Sequence, residues 1–265
     1  MKICLTGHSG FIGKHIFDFF KDKHSVVKIN LRNIQTKKDF KNFFFLSNFE
    51  DANFIINCAA NLDPKTQNDF FINQEFPKLM ASYIGKNIKN CFFIQISTIN
   101  VLIKDRKDCY TKSKIIAEEG LKNTRSIIVR LPLIYETQND QIINGGNLSI
   151  FFDYLSLKLP FYPMIYPGQV YEPLTINLFL NFLNNLISKE NICLKYFSLS
   201  GGIKKNTYEI FQEIASSKNK NVVKLNIHKL LPNFLIKLFL KKNGFLQQLT
   251  NIDNSNFKKN KQILS

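Results

Sequence analysis

Tyr110 and Lys114, in the run Tyr110-Thr111-Lys112-Ser113-Lys114, are the side chains whose spacing most directly suggests chemistry. Positions i and i+4 of a helix share one face. An ammonium beside a phenol favours the phenolate and draws the tyrosine pKa down from about 10. Tyr110 placed in that way can exchange a proton with a substrate hydroxyl or carbonyl. Tyr154 and Lys158 have the same spacing, so spacing alone does not choose between the pairs. Position does. Tyr110 opens a predicted helix shortly after the apolar run Phe92–Ser97, whereas Tyr154 lies beyond the predicted sheet strands. Thr98 ends the same run, and a hydroxyl at the carboxyl end of a strand in an open α/β sheet faces the ligand crevice. It can hydrogen-bond a reacting oxygen. Cys109 has no evident His partner and reads as a packing residue.

A second group could hold a ligand. Thr6-Gly7-His8-Ser9-Gly10-Phe11-Ile12-Gly13 follows one predicted strand and opens a predicted helix. Glycines there allow a tight turn, let backbone N–H groups approach a pyrophosphate and let helix and strand pack closely. The helix N-terminus adds a favourable field for phosphate. The stretch Gly7, Ser9, Gly10, Phe11, Ile12 and Gly13 is therefore expected to bind a dinucleotide. His8 and His15 read as surface or packing residues. After the second strand, an acidic residue would bind a ribose diol, and an Arg would accommodate a 2′-phosphate. The chain has Asn30-Leu31-Arg32-Asn33 there, so Arg32 favours NADP over NAD.

These residues must be positioned by a regular framework, and the apolar runs supply one. Lys2–Thr6, Val26–Leu31, Phe54–Ala59, Phe92–Ser97 and Ile127–Leu131 read as strands, with helices over Phe11–Lys21, Phe71–Gly85 and Tyr110–Leu121. Between residues 33 and 50 we expect a brief third strand and then a helix over Lys38–Ser47. Continuous apolar strands alternating with helices argue for a parallel sheet covered on both faces, an α/β Rossmann-like, doubly wound fold. After Pro132 the composition becomes rich in Pro and Gly. We expect residues 1–135 to form the dinucleotide-binding domain, with 176–199 returning to it as a helix over Ile176–Ile187 and a strand over Tyr196–Leu199. Residues 136–175 and 200–265 form a smaller, irregular substrate-binding part, with a helix over Thr207–Ser216.

The 265 residues carry a formal net charge of +16, with 45% hydrophobic and 21% charged residues. That composition excludes a disordered or collagen-like chain. The charge admits an anionic partner, but apart from Arg32, Arg106, Arg125 and Arg130 it is all lysine. Such an excess resembles the residue bias of an AT-rich genome more than a binding surface. No nucleic-acid motif is evident, so no nucleic-acid partner is expected. Lys229–Lys242 mixes leucines and lysines on a possible amphipathic helix, which keeps a membrane-surface reading open. Cys4, Cys58, Cys91, Cys109 and Cys193 are scattered, with no C-x-x-C pair, which fits neither a disulfide framework nor a zinc site. No metal site is expected. Gly7, His8, Ser9 and Gly10 interrupt any apolar signal-peptide core, and no run reaches the roughly 18 apolar residues of a membrane span. A cytoplasmic location is expected.

Taken in order along the chain, these motifs resemble the extended short-chain dehydrogenase/reductase family, in its NAD(P)-dependent epimerase/dehydratase and 4-keto-sugar-nucleotide reductase branch. T-G-x-x-G-F-I-G is that family's glycine spacing. Asn57-Cys58-Ala59-Ala60 resembles its N-x-A-A motif after the fourth strand, which implies cofactor contacts for Asn57, Ala59 and Ala60. Asn73, four residues before Pro77, matches the helix Asn that supports the active site. Thr98, Tyr110 and Lys114 match the catalytic Ser/Thr, Tyr and Lys, and Tyr110 and Lys114 are by the same resemblance also cofactor contacts. Arg130-Leu131-Pro132 resembles the R-x-P segment near the nicotinamide, which implicates Pro132. Asn147-Leu148 resembles the Asn-Leu that contacts a nucleotide diphosphate, so Asn147 joins Thr98 as a substrate-binding residue. Ser200-Gly201-Gly202 with Thr207–Ala215, and Asp253-Asn254-Ser255, resemble later family segments.

The resemblance implies an oxidoreductase acting on a nucleotide-linked sugar in polysaccharide biosynthesis, with NADP or NAD as cofactor. It also implies a homodimer pairing through Phe71–Gly85 and Tyr110–Leu121. An epimerase or dehydratase that retains NAD, and a cofactor-binding protein with little catalysis, are the alternatives. The chain departs from the pattern in three places. The Thr98–Tyr110 interval is short, Thr111 replaces a Gly, and Tyr171-Glu172-Pro173 stands where a phosphate-binding Arg would be sought.

Overall fold

Short runs of β-branched and aromatic residues, bounded by polar turns, form the strands of a buried parallel sheet. The computed structural model describes residues 1–225, apart from 47, 48, 50, 105, 107, 140, 167, 169, 190, 191, 193 and 194. Cys193, Lys229–Lys242 and Asp253-Asn254-Ser255 lie outside the described residues. The chain begins with β1 (Lys2–Thr6), α1 (Phe11–Phe20), β2 (Ser25–Ile29), α2 (Lys37–Leu46) and β3 (Phe54–Asn57). Next come α3 (Gln67–Phe70), a single widened π turn (Phe71–Glu75), α4 (Phe76–Asn87), β4 (Phe92–Thr98), α5 (Cys109–Gly120) and β5 (Ser126–Leu131).

The chain then makes β6 (Ile134–Gln138), β7 (Gln141–Asn144), α6 (Ser149–Leu155), β8 (Tyr162–Ile165), β9 (Val170–Tyr171) and β10 (Leu174–Thr175). It continues with α7 (Ile176–Ile187), β11 (Tyr196–Ser198), β12 (Lys205–Asn206), α8 (Thr207–Ser217) and β13 (Val222–Leu225). Among the described residues no helix is long and apolar enough to cross a membrane.

Two compact units divide the chain, one of Met1–Leu131 with Phe179–Leu199 and the other of Pro132–Leu178 with Ser200–Ser265. The first holds a six-stranded sheet in the order β11-β5-β4-β3-β1-β2. Every pairing in it is parallel, with Thr6 opposite Asn57, Asn57 opposite Gln95 and Ser97 opposite Arg130. The four residues of β3 are all buried, as is β4 beyond its first residue. Strand order reverses between β1 and β3. That reversal opens a crevice at their carboxyl ends, the place where open α/β sheets bind ligands. In the second unit, Phe151, Leu155, Tyr162, Tyr208, Phe211 and Ile214 anchor a separate core.

The strand expected between residues 33 and 50 is not formed by the described residues there. Thr36 and Asp39 cap the start of α2 reciprocally. Asp39 N donates to Thr36 Oγ1 at 3.2 Å, and Thr36 N donates to Asp39 Oδ2 at 2.9 Å. That capping box commits the segment to a helix start, and the sheet ends at β2. The N-x-A-A segment consequently follows the third strand, not the fourth. A second difference lies in Phe71–Gly85, expected as one helix. It contains the π turn, and that turn buries Asn73 completely. Such turns insert one extra residue and re-aim a side chain.

Candidate active site

Gly7 leaves β1 with φ +67°, a conformation that an L side chain rarely adopts. A Cβ on Gly7 would stand 2.5 Å from Ala59 N, so the turns after β1 and β3 touch through backbone. A Cβ on Gly13 would stand 2.2 Å from Gly7 O, which shows how closely α1 sits against the loop. Gly10 N donates to Gly7 O at 3.0 Å. Gly10 is also the N-cap of α1, where no side chain caps the helix and no acidic residue lies in the first turn. The N–H groups of that turn are left for a ligand. Ser9 and Gly10 are exposed, while Phe11 and Ile12 are half-buried. Bare N–H groups beside a backbone cradle that any Cβ would fill fit the pyrophosphate of a dinucleotide.

Asn57 is fully buried, and its side chain is committed within the sheet. Asn57 Oδ1 accepts from Thr6 Oγ1 at 2.5 Å and from Ala59 N at 3.2 Å, while Asn57 Nδ2 donates to Gln95 Oε1 at 2.7 Å. The Asn57 side chain therefore shapes the turn that presents Ala59 and Ala60, both half-buried. Arg32 is exposed just past β2, its N–H donating to Asn30 Oδ1 at 3.0 Å.

Tyr110 and Lys114 lie on α5, whose N-cap is Asp108. The Asp108 carboxylate accepts from Thr111 N and Thr111 Oγ1, each at 2.8 Å, and from Arg106 Nε at 2.7 Å. Thr111 thereby fastens the helix start that carries Tyr110 through both its backbone N–H and its hydroxyl. Asn73 supports the helix from the other side. Its Nδ2 donates to Ser113 Oγ at 3.1 Å, and Ser113 Oγ donates to Tyr110 O at 2.7 Å. Asn73 Nδ2 also donates to Asn61 O at 2.8 Å. Thr98 is buried at the end of β4, where its Oγ1 accepts from Asn100 N at 3.2 Å. It caps the following turn, and the hydroxyl proton remains available for donation.

The relation between Lys114 and Tyr110 differs from the expectation. Lys114 Nζ stands 5.8 Å from the centre of the Tyr110 ring and donates to Ile96 O at 3.0 Å. Burial, aided by the Asp108 charge, holds the Tyr110 phenol well above its ordinary range instead of below it. The phenol is therefore protonated at neutral pH, the form a proton donor needs.

Burial pushes the Lys114 ammonium down to about 8, against the opposing influence of Cys58 and Glu118. The Cys58 thiol is pushed up to about 12 by burial. Between pH 8 and the ordinary lysine value of 10.5, the unfolded chain holds a proton that the folded protein has released, so stability rises with pH across that window. Below pH 8 the full burial cost is present. Lys114→Met is accordingly expected to be more stable than the wild type at pH 7, by about 1–3 kcal/mol. That advantage should shrink toward pH 10.5, and urea denaturation at both pH values measures it. Equal stability at pH 7 would mean that the ammonium costs nothing there.

Glu118, one turn beyond Lys114, was not singled out by sequence although it shares the Tyr110–Lys114 face. Arg130 Nη2 donates to Glu118 Oε2 at 2.6 Å, and Ser97 Oγ donates to Glu118 Oε1 at 2.6 Å. Arg130 also lies 4.9 Å from the Tyr196 ring. The pair pins α5 to β4 and β5, and Arg130 is used there. Pro132 follows directly on β5 as the first residue of the second unit. Asn147 lies in the short 3-10 turn Gly146–Leu148 of that unit. Glu172 accepts from Ser200 Oγ at 2.5 Å, and a Cβ on Gly201 would stand 1.8 Å from Pro173 O. Among the described residues no group of His, Cys, Asp and Glu could hold a metal ion.

The fold is similar to that of several solved sugar-nucleotide reductases and epimerases. A dTDP-4-dehydrorhamnose reductase from Clostridium acetobutylicum superposes with a TM-score of 0.68 at 20% identity, covering 85% of this chain and 84% of that one. The dTDP-4-dehydrorhamnose reductase of Bacillus anthracis in complex with NADP gives 0.67 at 16% identity, covering 85% and 84%. The UDP-glucose 4-epimerase of Thermotoga maritima with UDP-glucose gives 0.62 at 15% identity, covering 85% and 86%. No protein-family model matches the sequence, and no curated protein matches it significantly.

Proposed function

We propose that this protein, as a homodimer pairing through α4 and α5, is an NAD(P)-dependent enzyme that reduces a 4-keto sugar nucleotide. The observation that carries this reading is the convergence on one sheet edge. The uncapped glycine turn after β1 and Thr98 at the end of β4 lie at carboxyl ends of strands of the first unit, and α5, which carries Tyr110 and Lys114, reaches the same end of β4 through Lys114 Nζ on Ile96 O. The fold it shares with a reductase crystallised with NADP and an epimerase crystallised with UDP-glucose supports the choice of cofactor and substrate class.

Gly7, Ser9, Gly10, Phe11, Ile12 and Gly13 would hold the pyrophosphate, with Ala59, Ala60 and Pro132 alongside the cofactor and Asn147 on the nucleotide of the substrate. A bound nicotinamide dinucleotide supplies the hydride. Thr98 donates a hydrogen bond to the keto oxygen and fixes its direction. Tyr110 gives its proton to that oxygen as the carbon is reduced. Lys114 contributes positive charge beside the phenol once it has left Ile96 O, which stabilises the phenolate left behind. The proton deficit on Tyr110 is made good from solvent.

Wild-type protein incubated with NADPH and a panel of dTDP- and UDP-linked 4-keto sugars is expected to oxidise the cofactor. Interconversion of sugar nucleotides without net NADPH oxidation would instead favour an epimerase with retained NAD, which would use the same side chains. Binding of NADPH with no turnover across the panel would remove the enzymatic reading, and sedimentation tests the dimer. Arg32, exposed just past β2, would meet a 2′-phosphate in this reading. Arg32→Ala is expected to lower the preference for NADPH over NADH by about tenfold or more, the worth of a charge-assisted contact. An unchanged ratio of the two affinities would remove the NADP preference.

A further inference from the structure

Gln95 lies in the middle of β4 with no solvent exposure, in a sheet whose strand interiors are otherwise largely apolar. A primary amide buried without partners is costly, so its hydrogen bonds must be traced. Thr6 Oγ1 and Ala59 N donate to Asn57 Oδ1, Asn57 Nδ2 donates to Gln95 Oε1, and Gln95 Nε2 donates to Ile96 O at 2.7 Å. Lys114 Nζ donates to that same carbonyl oxygen at 3.0 Å. The orientation of both amides is forced. The Ala59 N–H at one end can only donate, and the Ile96 carbonyl at the other can only accept. The Ile96 oxygen thus takes two side-chain donors at once, and one of them is the lysine of the candidate active site.

We propose that Gln95 is a positioning residue that keeps the Ile96 carbonyl paired when Lys114 leaves it, so that Lys114 can move from a resting place on β4 to the oxygens of a bound dinucleotide. The inference rests on the cofactor reading above. A buried carbonyl whose only donor departs is left unsatisfied, and that penalty would oppose every binding event. With Gln95 Nε2 in place, the carbonyl loses one donor of two. The same hydrogen-bonded row reaches Thr6 and Ala59, which flank the glycine turn. The backbone that would cradle the cofactor and the carbonyl that holds the lysine therefore belong to one rigid polar row.

The test is a double-mutant cycle on NADPH affinity, read by fluorescence, using Gln95→Met, Lys114→Met and the double variant. Gln95→Met is expected to weaken binding about tenfold in the wild-type background. In the Lys114→Met background it should have no further effect, because no lysine remains to be released. Equal weakening in both backgrounds is what a merely structural Gln95 would give, and it would overturn the proposal.

A second measurement needs no cofactor. NMR titration of lysine side chains in the free protein, with the Lys114 signal assigned by its loss in Lys114→Met, reports the shared carbonyl directly. Gln95→Met should move the Lys114 midpoint upward, since the amide N–H crowding the same oxygen is gone while Cys58 and Glu118 still face the ammonium. An unmoved midpoint would overturn the sharing. Should the wild type fail to bind NADPH, the cofactor reading and the release role fall together, whereas a moved midpoint would still show that Gln95 and Lys114 share Ile96 O. If the Met variant does not fold, Gln95→Leu, which also lacks the donor to Ile96 and carries neither charge nor titratable proton, takes its place. It is put through both measurements with the same expected directions.

Discussion

Replacing Tyr110 with Phe is expected to lower turnover of a 4-keto sugar nucleotide by about 10²- to 10⁴-fold, the usual contribution of a positioned general acid. NADPH affinity should stay within about threefold of the wild type, because the change removes only one oxygen. The position explains why the loss falls on turnover. Asp108 caps α5 and is tied to Arg106, while Asn73 and Ser113 brace the Tyr110 backbone, so the ring keeps its place without its hydroxyl. Burial keeps the phenol protonated in the free protein, so the proton is present at neutral pH and is lost with the hydroxyl. Steady-state kinetics with saturating NADPH measures the effect. Undiminished turnover would sink the proton-donor role.

The second large effect is expected at Gly13. An added Cβ would meet Gly7 O at 2.2 Å, Gly7 C at 2.7 Å and His8 Cα at 2.9 Å. All three are backbone atoms, so no flexible side-chain end can yield. Either α1 moves away from the turn after β1, or the turn itself shifts, and both displace the bare N–H groups from the position that fits a pyrophosphate. Gly13→Ala is expected to cost about 2–4 kcal/mol of stability, as overpacking against backbone does. NADPH affinity should fall by at least about 100-fold, equivalent to about 2.7 kcal/mol. Gly85→Ala is the control. Nothing lies within 4 Å of a Cβ there, and the residue sits within α4, so a gain of about 0.5–1 kcal/mol is expected from helix propensity. Chemical denaturation of both variants, with fluorescence titration of NADPH, separates the outcomes. A Gly13→Ala protein with wild-type stability and affinity would remove the close-packed cradle from the argument.

Local signals were legible where their cause is local. The alternation of apolar runs and helical stretches predicts β1, β4, α5 and β5 within one residue at each end, because side-chain burial on both faces of a parallel strand needs no distant information. The glycine turn and the Tyr110–Lys114 face could be read for the same reason, and α7 spans the predicted Ile176–Ile187. The segment after residue 33 starts a helix and not the expected strand because the Thr36–Asp39 capping box outweighs a weak strand pattern. The π turn in Phe71–Glu75 leaves no mark in apolar periodicity, since it shifts the register by one residue only after the helix has begun.

What the sequence by itself determined is the set of parts and their order: a strand, a glycine turn and a helix, then a hydroxyl, a phenol and an ammonium at spacings that one helix and one strand end can present. These follow from backbone sterics and helical repeat, which act over a few residues. Only the tertiary structure decided what each polar side chain is paired with. Thr6, Asn57, Gln95 and Lys114 become neighbours through parallel pairing of strands far apart in the chain, and Glu118 meets Arg130 in the same way. Those pairings depend on strand order and register, and on the demand that every buried donor and acceptor find a partner. For that reason the lysine expected beside the phenol is paired with the Ile96 carbonyl.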